Sequence, residues 1–256
     1  MRKQERERLI LQFLDENGYI DVSDIESKCS VSAITARRDL EKLAKLGYLV
    51  RTHGGAVKEE SVSNLFSFSK RIDHSTKKKI AIAKYASQFI HDNDAILMDS
   101  GTTIFRLCDF IQKRNDLKVI TSSLPVASEL IKSPAIKVFL IGGEVFPDRR
   151  ATYGPIASEH ISHYHAKKAF IGTDGVSIQS GITVQDVNEV TRIKSMINVA
   201  DKVYLLCDSS KIEQNSLFKM APISTIDYLI TDDAVSEEIV EKYKEAGVEI
   251  LVAEVE

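Results

Sequence analysis

Residues 31–56, VSAITARRDLEKLAKLGYLVRTHGGA, constrain the fold of this 256-residue chain more than any other stretch. Ser32 stands where a hydroxyl caps a helix that runs to about Leu46. Gly47 stands where helices end in the left-handed region. Ala36, Leu40 and Leu43 recur at i, i+4 and i+7, so they form one apolar stripe, and Ile34, Arg37, Arg38 and Glu41 face away from it. Tyr48–Arg51 reads as a short extended run that Thr52-His53-Gly54-Gly55 turns back. Upstream, Leu9, Ile10, Phe13 and Leu14 mark a helix over Glu5–Glu16 that Asn17-Gly18 stops. Ser23 can cap a second helix through Lys28, and Cys29-Ser30-Val31 makes a tight turn. Two helices, a turn, a third helix and a basic hairpin form a winged helix-turn-helix pattern.

Such a head implies double-stranded DNA as partner. The start of the third helix offers backbone N–H groups to phosphate. Ser32 and Thr35 can bond a phosphate or a base, and Arg37 and Arg38 can reach phosphates or a guanine edge. Ala33 and Ile34 on the same helix, with Arg51 and His53 in the hairpin, complete the candidate DNA-binding residues. The plainer reading makes Arg37 and Arg38 solvated charges on a helix, with or without a partner in Asp39 or Glu41. Charge distribution favours the DNA reading. Residues 1–58 carry eleven Lys and Arg against nine Asp and Glu, whereas the rest carries twenty-three against twenty-eight. A basic head on an acidic body has the sign expected of a protein that meets DNA at one end.

The head covers residues 1–57. Residues 58–75, polar and Ser-rich with two Phe, read as a linker. From Thr76 to residue 256, β-branched runs alternate with helical segments. Strands are expected at Ala95–Met98, Lys118–Thr121, Lys137–Ile141, Ala169–Gly172, Val203–Cys207, Tyr228–Thr231 and Glu249–Val252. Helices are expected at Thr76–Ile90, Ile104–Gln112, Val126–Lys132, Asp186–Asn198 and Ser236–Ala246. The fold class is therefore α/β, a winged helix-turn-helix followed by a larger domain with a mostly parallel, covered sheet. Ligands of such sheets sit beyond the carboxyl ends of the strands. Small polar clusters fall there: Asp99–Thr103, Thr121–Ser123, Gly142-Gly143, Gly172–Gly175 and Asp208–Lys211. SGTT at 100–103 follows a strand and opens a helix, an arrangement that can close N–H groups around a phosphate. It also fits an ordinary βα turn, and it lacks the P-loop and dinucleotide fingerprints. Lys211 can pair a phosphate or be a surface lysine, and Asp174 can bond sugar hydroxyls or stabilise a turn.

Cys29, Cys108 and Cys207 are scattered, which excludes a disulfide framework and implies buried, reduced thiols. Glu159, His160, His163 and His165 form EHISHYH, which is not a zinc motif, and no metal site or cofactor is expected. The N-terminus lacks an apolar signal region and no run of ~18 apolar residues occurs. A cytoplasmic protein without membrane contact is the expectation.

The chain resembles the DeoR family of bacterial sugar-metabolism repressors. The recognition helix and wing carry the likeness, together with DSGTT, TSS, IGGEVFPDRRATYGP, KAFIGTDGV, SGITVQDVNEVTRIKSMI and LLCDSSK, in the family's order. The resemblance implies a sensor body like that of ribose-5-phosphate isomerase, control by a phosphorylated sugar, homo-oligomers and operator DNA as partner. It places the ligand at Ser100, Gly101, Thr102, Thr103, Thr121, Ser122, Ser123, Asp174, Gly175, Lys194 and Lys211. Ala36 stands where the family usually has Ile, and Ser122 where it has Asn. Ala33 and Ile34 are less polar than usual. By the same alignment, the isomerase's acidic run falls on Ile171–Gly175, where two of three acids are Ile and Gly, and its acid beside Lys194 is Ile193. Moving the C2 proton of an aldose needs a positioned carboxylate. The expectation is therefore a regulator rather than an enzyme, with a phosphosugar isomerase bearing a DNA-binding head as the alternative.

Overall fold

The computed structural model describes residues 3–17, 19–45, 48–52, 54–58 and 68–256. The chain divides into two compact units, Met1–Arg71 and Ile72–Glu256. In the first, α1 (Lys3–Asn17), α2 (Val22–Cys29) and α3 (Ala33–Lys45) accompany β1 (Tyr19–Asp21), β2 (Leu49–Arg51) and β3 (Gly55–Lys58). The wing is a hairpin of β2 and β3, and β1 adds on the far side of β3, so the three-stranded sheet runs β1-β3-β2 with antiparallel pairs. β1 is too short to show any periodicity. Close approach fixes its register: a Cβ on Gly55 would stand 2.1 Å from the Ile20 carbonyl, so only glycine fits there.

Ala36, Leu40 and Leu43 are buried with Ile10, Leu14, Ile20 and Ile25 in the head's core. α2 starts two residues earlier than expected. Asp21, not Ser23, is its N-cap, and the Asp21 N–H donates to the Asp24 carboxylate at 3.1 Å. Ser30 takes the left-handed turn at φ 53° between α2 and α3. The C-terminal glycine expected at position 47 lies outside the described residues. Within the stretch expected as a linker, Phe68–Asp73 forms a short helix, α4, with Phe68 buried.

The second unit begins with α5 (Thr76–Ala86), extended by a 3₁₀ turn at Ser87–Phe89. Seven strands follow in one wholly parallel sheet: β4 (Ala95–Met98), β5 (Leu117–Thr121), β6 (Ile136–Leu140), β9 (Ala166–Ile171), β12 (Ala200–Leu206), β14 (Tyr228–Asp232) and β15 (Glu249–Ala253). Each overlaps one of the seven expected runs. Their spatial order is β15-β14-β12-β9-β4-β5-β6. The chain winds outward from β4 to β6, then crosses to β9 and winds the other way. β4 and β9 therefore flank the point where the winding reverses, where parallel sheets open a crevice at their carboxyl ends.

Side chains alternate across the sheet: Ile96 and Met98 enter one core, Leu97 the other. The first core is closed by α5, α6 (Thr102–Phe105), α7 (Cys108–Ile111) and α8 (Leu124–Leu130). The second is closed by α9 (Pro155–Ser162), α10 (Val187–Asn198) and α11 (Glu237–Glu245). Two smaller features fell outside the expected strands, because each strand is only three or four residues long: the β7–β8 hairpin (Glu144–Phe146, Ala151–Tyr153) and the antiparallel sheet β10-β11-β13 (Gly175–Ser177, Gly181–Val184, Phe218–Ala221). Cys29, Cys108 and Cys207 are free and buried, and burial pushes the Cys207 thiol up to about 12. Among the described residues, no helix is long and apolar enough to cross a membrane.

Leu40→Ala removes a fully buried side chain from the small head core and should cost about 2–5 kcal/mol. Peptide-resolved amide hydrogen exchange checks this: protection should fall across α1–α3 and stay unchanged in residues 72–256.

Candidate DNA face and strand-end site

On α3, Ile34, Arg37, Arg38 and Glu41 are exposed, and Ile34 is 77% accessible. Asp39 does not neutralise this face. It points inward, is buried, and pairs with Arg6 of α1. Among the described residues no carboxylate pairs with Arg37 or Arg38, so neither Asp39 nor Glu41 neutralises them. The Ser32 and Thr35 hydroxyls lie 3.1 Å apart at the helix start, bonded to each other and accessible. Two expected residues do not share this face. Ala33 is half-buried against the head's core, because it precedes Ala36 by three positions and so leans over the same stripe. Arg51 is half-buried and turned back, its Nη1 donating to the Gly55 carbonyl at 2.7 Å, so it closes the wing. His53 lies outside the described residues.

In the second unit, the strand-end clusters meet where the winding reverses. Asp99, at the end of β4, is the hub. Its carboxylate accepts the Ser100 N–H at 2.6 Å and, across to β9, the Gly172 N–H at 3.0 Å. Arg192 of α10 pairs with the same carboxylate at 2.6 Å. Burial alone would raise the Asp99 pKa, but the Arg192 charge and the two N–H bonds outweigh it and hold the carboxyl below its usual range. Burial likewise opposes the Arg192 charge, and Asp99 overrides it. Arg192 also reaches Ser122 Oγ at 3.1 Å and Ser100 Oγ at 3.4 Å, with the Tyr153 ring 4.9 Å away.

A second group adjoins this one. Tyr153, whose pKa burial pushes up to about 12, donates its hydroxyl to Glu189 at 3.3 Å. Arg149, buried at the β7–β8 turn, lies 3.5 Å from both Glu189 and Asp174. Burial raises the Glu189 pKa against the pull of Arg149. Asp174 is half-buried and also accepts the Gln185 N–H at 2.9 Å.

The expected ligand residues divide accordingly. Ser100, Gly101, Thr102, Thr103 and Ser122 gather at the ends of β4 and β5. The N–H groups of Gly101, Thr102 and Thr103 open α6 and have no preceding carbonyls to bond. Asp174 joins through Arg149, and Lys211 sits at the end of β12 with its ammonium on the Thr173 carbonyl at 2.7 Å. Thr121 and Ser123 are placed nearby but serve the scaffold. Thr121 Oγ1 donates to the Met98 carbonyl, and Ser123 Oγ caps α8 through the Val126 N–H. Gly175 is a packing glycine, since a Cβ there would stand 2.6 Å from the Gln214 carbonyl. Lys194 is not brought to the site. It is exposed and lines a shallow depression with Gln179 and Lys219, because it sits two residues from Arg192 on α10 and so points away.

Arg149, Tyr153, Glu189 and Arg192 were not expected as site residues, and Asp99 stood in an expected strand-end cluster without a role of its own. A signal for two of them existed: Glu189 and Arg192 share the stripe of Ile193 and Met196, so opposite charges sit on a helix face spaced for burial. The EHISHYH side chains are engaged separately. His160 accepts the Gly142 N–H and contacts the Tyr164 hydroxyl, and His165 pairs with Asp201. Among the described residues no group of three or more His, Cys, Asp or Glu gathers to hold a metal.

Fold and site together define a two-unit transcriptional regulator, a winged helix-turn-helix with an α/β sensor. Residues 6–62 match the model of the DeoR-like helix-turn-helix domain, and residues 74–233 that of the DeoR C terminal sensor domain. The chain is similar to the HTH-type transcriptional repressor GlcR of Bacillus subtilis (strain 168), with 34% identity across 99% of this chain and 98% of that protein. It is also similar to the HTH-type transcriptional regulator GolR of Listeria innocua serovar 6a, with 31% identity across 98% of each. Among solved structures, ribose 5-phosphate isomerase from Plasmodium falciparum aligns with 54% of this chain and 52% of its own, at 17% identity and a TM-score of 0.39. The chain belongs to the DeoR family.

Asp99→Asn leaves the Arg192 charge buried without its counter-ion and should cost about 3–5 kcal/mol at neutral pH. Because the folded Asp99 pKa is depressed, its contribution is complete above the unfolded value of about 4 and is lost as pH falls through the folded value. Urea denaturation at pH 7 and pH 3 checks this, and the gap between wild type and variant should narrow in acid.

Proposed function

We propose that this protein is a homo-oligomeric repressor of sugar-metabolism genes, controlled by a phosphorylated sugar bound at the strand-end site. One observation carries the reading. Ser100, Gly101, Thr102, Thr103 and Ser122 converge at the reversal between β4 and β9, with Asp174 and Lys211 on the adjoining loops. Unbonded N–H groups and hydroxyls suit a phosphate, and carboxylates suit sugar hydroxyls. The Arg37-Arg38 face of α3 is the DNA-reading part of the head, and two heads from paired copies bind two operator half-sites. The effector acts by binding DNA-competent and incompetent arrangements unequally. The name of GlcR, a transcriptional repressor, supports the sign of regulation.

The protein is a receptor on this reading, not an enzyme. One observation favours the alternative: Glu189 is a buried carboxylate with a raised pKa beside Tyr153, the kind of group that moves protons. Turnover of ribose 5-phosphate that Glu189→Gln abolishes would establish an isomerase; no turnover at saturating substrate discards it.

Fluorescence anisotropy with operator DNA tests the main reading. Arg38→Ala should weaken binding by about 1 kcal/mol or more and reduce the salt slope, leaving the second unit's melting unchanged. Sugar phosphates added to wild type should change operator affinity, and a complete panel without effect sinks the proposal. Lys211→Ala should blunt that response while effector-free binding to DNA persists.

A further inference from the structure

Arg192 belongs to none of the strand-end clusters that suggested an anion site, yet its side chain contacts two of them, at Asp99–Thr103 and Thr121–Ser123. It is 1% exposed. Its Nη2 meets Asp99 and Ser100, its Nη1 meets Ser122, and its buried Nε has no hydrogen-bond partner. One guanidinium thus spans the ends of β4 and β5. A guanidinium only donates. A serine oxygen that accepts from it must turn its own hydrogen elsewhere: Ser100 gives its hydrogen to Asp99 at 3.4 Å, and among the described residues the Ser122 hydroxyl has no other partner. Asp99 takes only part of the guanidinium's five donors and the two serine oxygens take others, which leaves the Ser122 hydrogen still to be donated.

We propose that Arg192 is the positioning residue of the effector's anionic group. It holds the Ser122 hydroxyl as a donor toward an oxyanion and fixes a cation beneath the Ser100–Thr103 loop. Asp99 holds the guanidinium plane, so the donors are in place before the ligand arrives. A lysine keeps the charge but not the fork that reaches both serines. The ligand class is a phosphate ester or comparable oxyanion rather than a neutral sugar. The inference rests on the phosphosugar reading of this site.

The test measures inorganic phosphate binding by calorimetry at constant ionic strength, with melting and operator binding followed in parallel. Wild type is compared with Arg192→Lys, with the double variant Asp99→Asn/Arg192→Met, and with Ser122→Ala. The double variant removes both buried charges and so leaves none uncompensated. Arg192→Lys and the double variant should weaken phosphate at least tenfold, and Ser122→Ala severalfold, with cooperative melting and effector-free DNA binding retained. Folded variants that bind phosphate as tightly as wild type overturn the role of Arg192 alone. Should both charge variants unfold, Ser122→Ala decides, because it leaves the ion pair whole: unchanged phosphate affinity overturns the proposal. A wild type that binds neither inorganic phosphate nor any sugar phosphate removes the phosphosugar reading, and this proposal with it.

Discussion

The Asp99 carboxylate holds the sensor unit's working end together. It accepts an N–H from its own loop and one from the end of β9, and it carries the charge that lets Arg192 lie buried. Those contacts tie two strands that the chain visits far apart and that lie side by side where the winding reverses. A buried ion pair is poor evidence of added stability, since desolvation consumes much of the attraction. It is good evidence of position. With Asp99 in place, the Ser100–Thr103 loop, Ser122 and the Arg192 fork occupy one arrangement, and the neighbouring Tyr153–Glu189–Arg149–Asp174 group is built against it.

The head solves a related problem with the opposite result. Asp39 directly follows Arg37 and Arg38 in sequence, and the next acid, Glu41, is two residues on. Its carboxylate nevertheless turns inward to Arg6, on a different helix. The outward face of α3 therefore keeps its positive charge, while the inward face gains a buried pair beside Leu40. The same helix thus packs the core and leaves two cations available to phosphate. Ala36, smaller than the family's usual residue, is fully buried there.

Much of this was legible beforehand. The seven parallel strands announced themselves as β-branched runs, because strands covered on both faces must be apolar throughout. The apolar stripe of α3 located its outward face in the same way. The misses share a cause. Thr121, Ser123 and Gly175 have the residue types of a ligand loop, but those types also serve strand ends and caps, and only packing decides which use prevails. Lys194 was placed by likeness to a motif, whereas the helix period turns it away from Arg192. The β10-β11-β13 sheet escaped notice because its strands are short and its register depends on glycines pressed against distant carbonyls.

The sequence by itself determined the two-part plan, the DNA-reading helix and the small polar clusters at strand ends, because periodicity, caps and charge are local properties. Only the tertiary structure decided that β4 and β9 are neighbours, because strand order depends on crossovers that leave no local trace. Only it decided that Arg192 lies under the serines and Lys194 does not. The hydrophobic stripe sets which face of α10 is buried, but what that face meets is a property of the folded sheet.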